Sequence, residues 1–200
     1  DRWQAFVRFH RGIVDEAAFK AADFVKHAPE ILAAVPTLSH LRLRGSLRHI
    51  ADLAKVPELE YLTGLELPMG FPKEEELRPL LDSPHLTRLR SLSLANCLLG
   101  PKANFLANSP LLGQLTKLNL EGCTLSARLV EQILHTLPSG RLRSLNLARN
   151  NLDHEAAELV AAKDWDGQLE ELNLSGNALG GRGISQLAVS PYLKSLRVLR

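Results

Sequence analysis

Leucine recurs along this chain in a fixed phrase, L-x-x-L-x-L, with polar or small residues between. It occurs at Leu38/Leu41/Leu43, Leu62/Leu65/Leu67, Leu89/Leu92/Leu94, Leu115/Leu118/Leu120, Leu142/Leu145/Leu147 and Leu169/Leu172/Leu174. A seventh copy reads Leu193/Leu196/Val198, and Val14/Ala17/Phe19 reads as a degenerate earlier one. Successive middle leucines of the seven copies lie 24, 27, 26, 27, 27 and 24 residues apart. A period of this size marks stacked structural repeats. The L-x-L pair has period two, so each copy predicts a short strand with both leucines on one side. Stacked copies pair edge to edge as a parallel sheet over a shared leucine core.

The rest of each unit has helical periodicity. In residues 126–137, Leu129, Val130, Ile133, Leu134 and Leu137 form one stripe, with Ser126 as N-cap. Residues 153–163 start at Asp153 and present Ala156, Leu159 and Val160. Helices are also expected over 47–55, 74–81, 101–108 (with Pro101 in the first turn) and, weakened by Gly181 and Gly183, 181–189. Pro36, Pro57, Pro84, Pro110, Pro138 and Pro191 close these segments ahead of the next phrase. Five residues after each middle leucine stand Ser46, Gly70, Cys97, Cys123, Asn150 and Asn177. There the chain leaves the strand, and asparagine can serve as donor and acceptor to turn backbone.

The fold class expected is α/β: a right-handed βα solenoid with its parallel sheet concave and its helices convex. Residues 1–35 read as an N-terminal capping segment with the degenerate first repeat. Residues 36–200 hold the seven copies, the last truncated. Trp3, Phe6, Phe9, Phe19 and Phe24 gather at the start and are expected to pack as the cap. The chain opens on Asp1 and closes inside a copy, so material removed from the N-terminus and further repeats or an exposed end are expected.

The phrase L-x-x-L-x-L-x-x-N/C-x-L resembles the leucine-rich repeat family. Its helical units resemble the ribonuclease-inhibitor-like subclass. Residues 11–45, RGIVDEAAFKAADFVKHAPEILAAVPTLSHLRLRG, are similar to the segment leading into the repeats of multicopy bacterial repeat-companion leucine-rich-repeat proteins. This resemblance implies a bacterial, cytoplasmic origin and brings no established activity.

Composition narrows the function. The formal charge is +2, from 24 basic and 22 acidic groups, which does not argue for nucleic acid or an anionic membrane. No apolar run reaches membrane-span length. His154-Glu-Ala-Ala-Glu158 is half of a zinc-protease phrase without its second histidine, and Gly180-Gly-Arg-Gly183 is a turn rather than a phosphate loop. Cys97 and Cys123 share an offset in adjacent copies and read as buried thiols, with a disulfide as the alternative. No catalytic set, cofactor or metal site is expected.

The strand positions facing away from the leucines remain. His40, Arg42 and Arg44 form a predicted basic corner; Glu66, Ser93, Lys117, Asn119, Glu121, Asn146, Glu171 and Asn173 continue the face. In the seventh copy the face is read as Ser195, Arg197 and Leu199, and Asn146 is expected to matter little for stability. The expected role is non-catalytic binding of an unidentified protein partner on this concave face. Two alternatives stay open: an accessory regulator such as a GTPase-activating protein, as the subclass includes, and a purely structural fragment.

Overall fold

The computed structural model describes residues 6–10, 13–67, 69–100 and 103–200. The expectations for Trp3 and Pro101, and for the side chain of Phe9, lie outside what it describes. Strands β1 (Phe6–His10) and β2 (Ile13–Lys20) form an antiparallel pair, and helix α1 (Ala21–Ala34) follows. Strand and helix then alternate through β3 (His40–Arg44), α2 (Ile50–Leu53), β4 (Gly64–Glu66), α3 (Glu74–Leu81), β5 (Ser91–Ser93) and α4 (Asn104–Ala107). The alternation continues through β6 (Lys117–Asn119), α5 (Ala127–Thr136), β7 (Ser144–Asn146), α6 (His154–Ala162), β8 (Glu171–Asn173), α7 (Gly180–Val189) and β9 (Val198–Leu199). One sheet runs β1 to β9 in chain order, parallel from β2 onward. It is an α/β solenoid of stacked strand-helix units.

The register follows the leucines. Ala17, Leu41, Leu65, Leu92, Leu118, Leu145 and Leu172 are successive partners, so the degenerate first copy is aligned as its residues predict. All are buried, together with the leucines on either side and the inner faces of the helices. In α5, Leu129, Val130, Ile133 and Leu134 are buried and the Ser126 hydroxyl accepts the Leu129 N–H. Phe19 and Phe24, two of the aromatics expected to pack at the start, are buried at 6.0 Å ring separation. Phe6 departs from that expectation: it is exposed, because β1 is the outermost strand, and the Arg44 guanidinium lies 4.2 Å from its ring centre.

The last copy is registered differently from the sequence reading. Leu172 pairs with Leu199 and Glu171 with Val198, a step of 27 rather than 24. Leu196 therefore takes the first-leucine position. Val198 and Arg200 take the outward positions read from sequence as Ser195 and Arg197, and Leu199 belongs to the leucine column.

A row of side chains on the helix side confirms this register. Six residues before each first leucine stand Ser83, Ser109, Thr136, Lys163 and Ser190. Each donates to a carbonyl at the end of the preceding helix or one residue to either side of it: Ala54, Leu81, Ala107, Leu137 and Ala161. Helix ends leave carbonyls without intrahelical partners, and these bonds satisfy one per repeat. Ser83, Ser109 and Ser190 precede Pro84, Pro110 and Pro191, and their hydroxyls also accept the N–H two residues on. The prolines thus open short connecting turns as well as ending helices.

One glycine of α7, Gly183, has a packing reason. A Cβ on Gly183 would stand 3.0 Å from the Ala157 Cβ and 3.2 Å from the His154 Cα. The residue lets α7 lie close on α6, so the predicted weakness of this helix is offset by tertiary packing.

Candidate functional site

From β4 to β8 each strand is three residues long because the backbone turns immediately after it. Four residues past the middle leucine, Gly45, Asn96, Gly122, Arg149 and Gly176 adopt positive φ. One residue later the turn is sealed. Asn150, only 3% exposed, donates from Nδ2 to the carbonyls of Leu120 (2.8 Å), Leu147 (3.0 Å) and Ala148 (3.1 Å). Its Oδ1 accepts the N–H of Cys123 (2.9 Å) and Leu125 (3.2 Å). Asn177 repeats the arrangement one unit on, accepting from Asn150 and Leu152 and donating to Leu147 and Leu174. Cys123 at the same position makes two contacts of this kind, from Sγ to the carbonyls of Leu94 (3.0 Å) and Glu121 (3.6 Å). Both cysteines are buried thiols rather than a disulfide. Burial pushes the Cys97 thiol up to about 11 and the Cys123 thiol up to about 12, the nearby Cys97 adding to the latter.

These sealed turns hold the outward residues in rows one strand spacing, about 4.8 Å, apart. One row is His40, Gly64, Ser91, Lys117, Ser144, Glu171 and Val198; the next is Arg42, Glu66, Ser93, Asn119, Asn146 and Asn173. Between Glu66 and Arg200 the face is hollowed into a groove of about 270 Å³ lined by Ser93, Lys117, Asn119, Asn146, Glu171 and Asn173, among others. This hollow is the concave face the sequence predicts. Pro68, in the outermost row, lies outside the described residues.

The chemistry of the face changes along it. At the N-terminal end Glu16 pairs with Arg8 (3.1 Å) and Arg42 (3.4 Å), and Arg42 with Glu66 (2.9 Å). Arg44 is taken by the Phe6 ring and the Ala18 carbonyl. Arg42 of the predicted basic corner is therefore paired, with a glutamate on the degenerate repeat and another on β4, while Arg44 keeps its charge against the Phe6 ring. His40 takes a hydrogen bond at Nδ1 with the Ser39 hydroxyl, and its ring covers Gly64, where a Cβ would come within 2.2 Å of it.

Further along, the asparagines are partly committed to the backbone. Oδ1 of Asn119, Asn146 and Asn173 accepts the N–H two residues on, from Glu121 (3.1 Å), Ala148 (3.0 Å) and Ser175 (3.1 Å). Asn146 therefore contributes to the strand exit and is not the neutral surface position expected from sequence. Asn119 Nδ2 donates to Ser93 (3.2 Å), Asn146 Nδ2 to Glu121 (3.2 Å) and Ser144 to Glu171 (2.9 Å). Arg149 faces Glu121 at 3.6 Å, and Glu170 joins Arg143 (2.6 Å) to Arg197 (3.8 Å).

Sequence reasoning missed an apolar knob on the rim where the strands end. Met69 and Phe71 are 71% and 76% exposed, and Leu98 is held beside them by its N–H to the Gly70 carbonyl at 2.7 Å. The signal was present: Met69 stands where the other copies carry Gly45, Asn96, Gly122, Arg149 and Gly176. The remaining motifs resolve structurally. Asp153 caps α6 through the N–H of Glu155 and Ala156, and Glu158 pairs with Arg182 of α7 at 2.6 Å. Among the described residues no group of three His, Cys, Asp or Glu is placed to hold a metal ion, and no helix is long and apolar enough to cross a membrane.

A sequence model described as Leucine Rich repeat matches residues 169–188, one repeat from β8 into α7. Among solved structures, an internalin (inlF) from Listeria monocytogenes is similar over 84% of this chain at 16% identity, with a TM-score of 0.46. This chain spans 55% of that chain's length. No curated protein matches the chain significantly.

Proposed function

We propose that the chain is a non-catalytic protein-binding module whose partner lies on the hollowed sheet face, over Ser93, Lys117, Asn119, Asn146, Glu171 and Asn173. The observation that carries this reading is the groove itself. Six consecutive strands, held in one register by buried leucines and sealed turns, present aligned polar side chains into a single depression. Solenoids bind on surfaces of this form because stacking multiplies small side chains into an extended face. Units of 24 to 27 residues with helices opposite the sheet favour the ribonuclease-inhibitor-like subclass, and the leader-like segment 11–45 favours a bacterial cytoplasm.

Photo-crosslinking from each face tests the proposal. A photoreactive phenylalanine at position 93 or 146 is expected to trap a partner from bacterial lysate, and one at the helix-side position 131 is not. Equal trapping from both faces, or none from positions 93 and 146, overturns the assignment.

A further inference from the structure

We infer that the groove accepts an acidic side chain of a peptide segment, its carboxylate seated on Lys117 beside Ser91 and Ser93. This rests on the open-face reading above and names the partner's chemistry. The charges of the face lead to it. Of the arginines and lysines in β3 to β8, Arg42 stands between Glu16 and Glu66, and Arg44 is held by Phe6 and a backbone carbonyl. At the groove's edges Arg143 and Arg197 share Glu170, and Arg149 faces Glu121. Lys117 has no ion pair or hydrogen bond among the described residues. It is exposed at the centre of the sheet, paired in register with Ser91 on one side and Ser144 on the other.

A ligand carboxylate on Arg42 would compete with two carboxylates already there. On Lys117 it displaces only water. Ser91 makes no side-chain hydrogen bond among the described residues, and the Ser93 hydroxyl, accepting from Asn119, keeps its own proton to donate. An ammonium with neighbouring hydroxyl donors suits an anion. The surroundings restrict which anion. Glu66, Glu171 and Glu121 stand on the same face, so a polyanion would meet repulsion within a few strand spacings. Nucleic acid gains affinity by neutralising many phosphates at once. A face whose central cation is one uncommitted lysine, with Arg200 three strands away at the end of the groove, favours a single carboxylate flanked by neutral polar residues, whose amides can meet Asn173 and Asn146.

Titration of ¹⁵N-labelled protein with the pentapeptide acetyl-Ser-Asn-Asp-Asn-Ser-amide provides the test. Its neutral analogue, with the central Asp replaced by Asn, and oligouridylate serve as the comparison probes. The Asp peptide is expected to shift the amides of Ser91, Lys117 and Ser144 saturably. Lys117→Gln is expected to weaken it about tenfold, the loss of one charge-assisted contact, and Lys117→Arg to restore most of it. Lys117 is exposed, so both variants should melt with the wild type. Equal shifts from the neutral peptide overturn the acidic preference while leaving the open-face reading intact. Silence from both peptides, with crosslinking from positions 93 and 146 retained, does the same. Tighter, Lys117-dependent binding of oligouridylate replaces the peptide with nucleic acid.

Discussion

The two ends of this solenoid solve one problem by different means. Every repeat must turn its backbone off a strand and satisfy the groups exposed there. In the C-terminal repeats a single buried asparagine does so: Asn150 makes five hydrogen bonds that tie its turn to the previous one. In the N-terminal repeats the same position holds Ser46, Gly70 or Cys97, and cohesion between repeats shifts to the outer face, where Arg8, Glu16, Arg42 and Glu66 alternate in charge. The contrast shows how location sets the value of a polar contact. Bonds inside a buried turn have no water to replace them, whereas exposed ion pairs trade protein partners for solvent at little cost. The less sealed turns are also where the apolar rim residues Met69 and Phe71 stand in solvent.

The largest effect that would test this contrast is the loss of an asparagine. Asn150→Ala strands the Cys123 and Leu125 N–H groups and three carbonyls, and is expected to cost about 3 kcal/mol in denaturant melts. Cys97→Ala, at the equivalent N-terminal turn, removes one buried sulfur and is expected to cost about 1 kcal/mol. Equal losses at the two turns would show that the side chain at this position contributes no more in the C-terminal half than in the N-terminal half.

How far the sequence anticipates this arrangement depends on the range of each interaction. The leucine columns and the turn asparagines were legible because they repeat at fixed offsets and their environment is the same in every copy. The last copy was not, because Leu193/Leu196 and Leu196/Leu199 both fit L-x-x-L. The deciding residue is Ser190, six before Leu196, whose bond to the Ala161 carbonyl repeats that of Ser109 to Leu81. The pairing of the basic corner was not legible for a different reason. Arg42 finds its partners 26 residues back and 24 residues on, so its net charge is a property of the stack and not of HLRLR alone. The same holds for Lys117, which is conspicuous only after its neighbours' charges have been matched. Of the candidate face residues, the structure brings Glu66, Ser93, Lys117, Asn119, Asn146, Glu171 and Asn173 to one groove, and leaves His40, Arg42 and Arg44 at the N-terminal end of the face.

A smaller effect comes from the thiols that stand in for asparagine at the centre of the molecule. Their ordinary value of 9.0 applies in the unfolded chain, and burial raises it to about 11 for Cys97 and about 12 for Cys123 in the fold. The folded protein then holds its thiol protons where the unfolded chain has lost them. Stability is unaffected below about pH 9 and falls as pH rises from there toward 11 or 12. At pH 10 the loss is about 1 kcal/mol per thiol. Melts from pH 8 to 10.5 are expected to decline less steeply for Cys123→Ala than for wild type. Parallel slopes would mean that the thiol is open to solvent and that the turn at Cys123 is as loose as those before it.

The smallest effect is expected where the drawn contacts look densest. Arg42 lies between two glutamates, yet its side chain is 44% exposed and Glu66 is 41% exposed, so solvent screens both pairs. Arg42→Ala removes two ion pairs and is expected to cost under about 1 kcal/mol, and to cost less still in 1 M salt. Arg42→Glu would place a third carboxylate beside Glu16 and Glu66, so its larger loss should shrink with salt as repulsion is screened. A salt-independent loss of several kcal/mol from Arg42→Ala would reverse the ranking of the two ends. The charge ladder would then hold the N-terminal repeats as firmly as the asparagines hold the C-terminal ones, and Glu16, on the degenerate repeat, would be the residue that locks the cap to the stack.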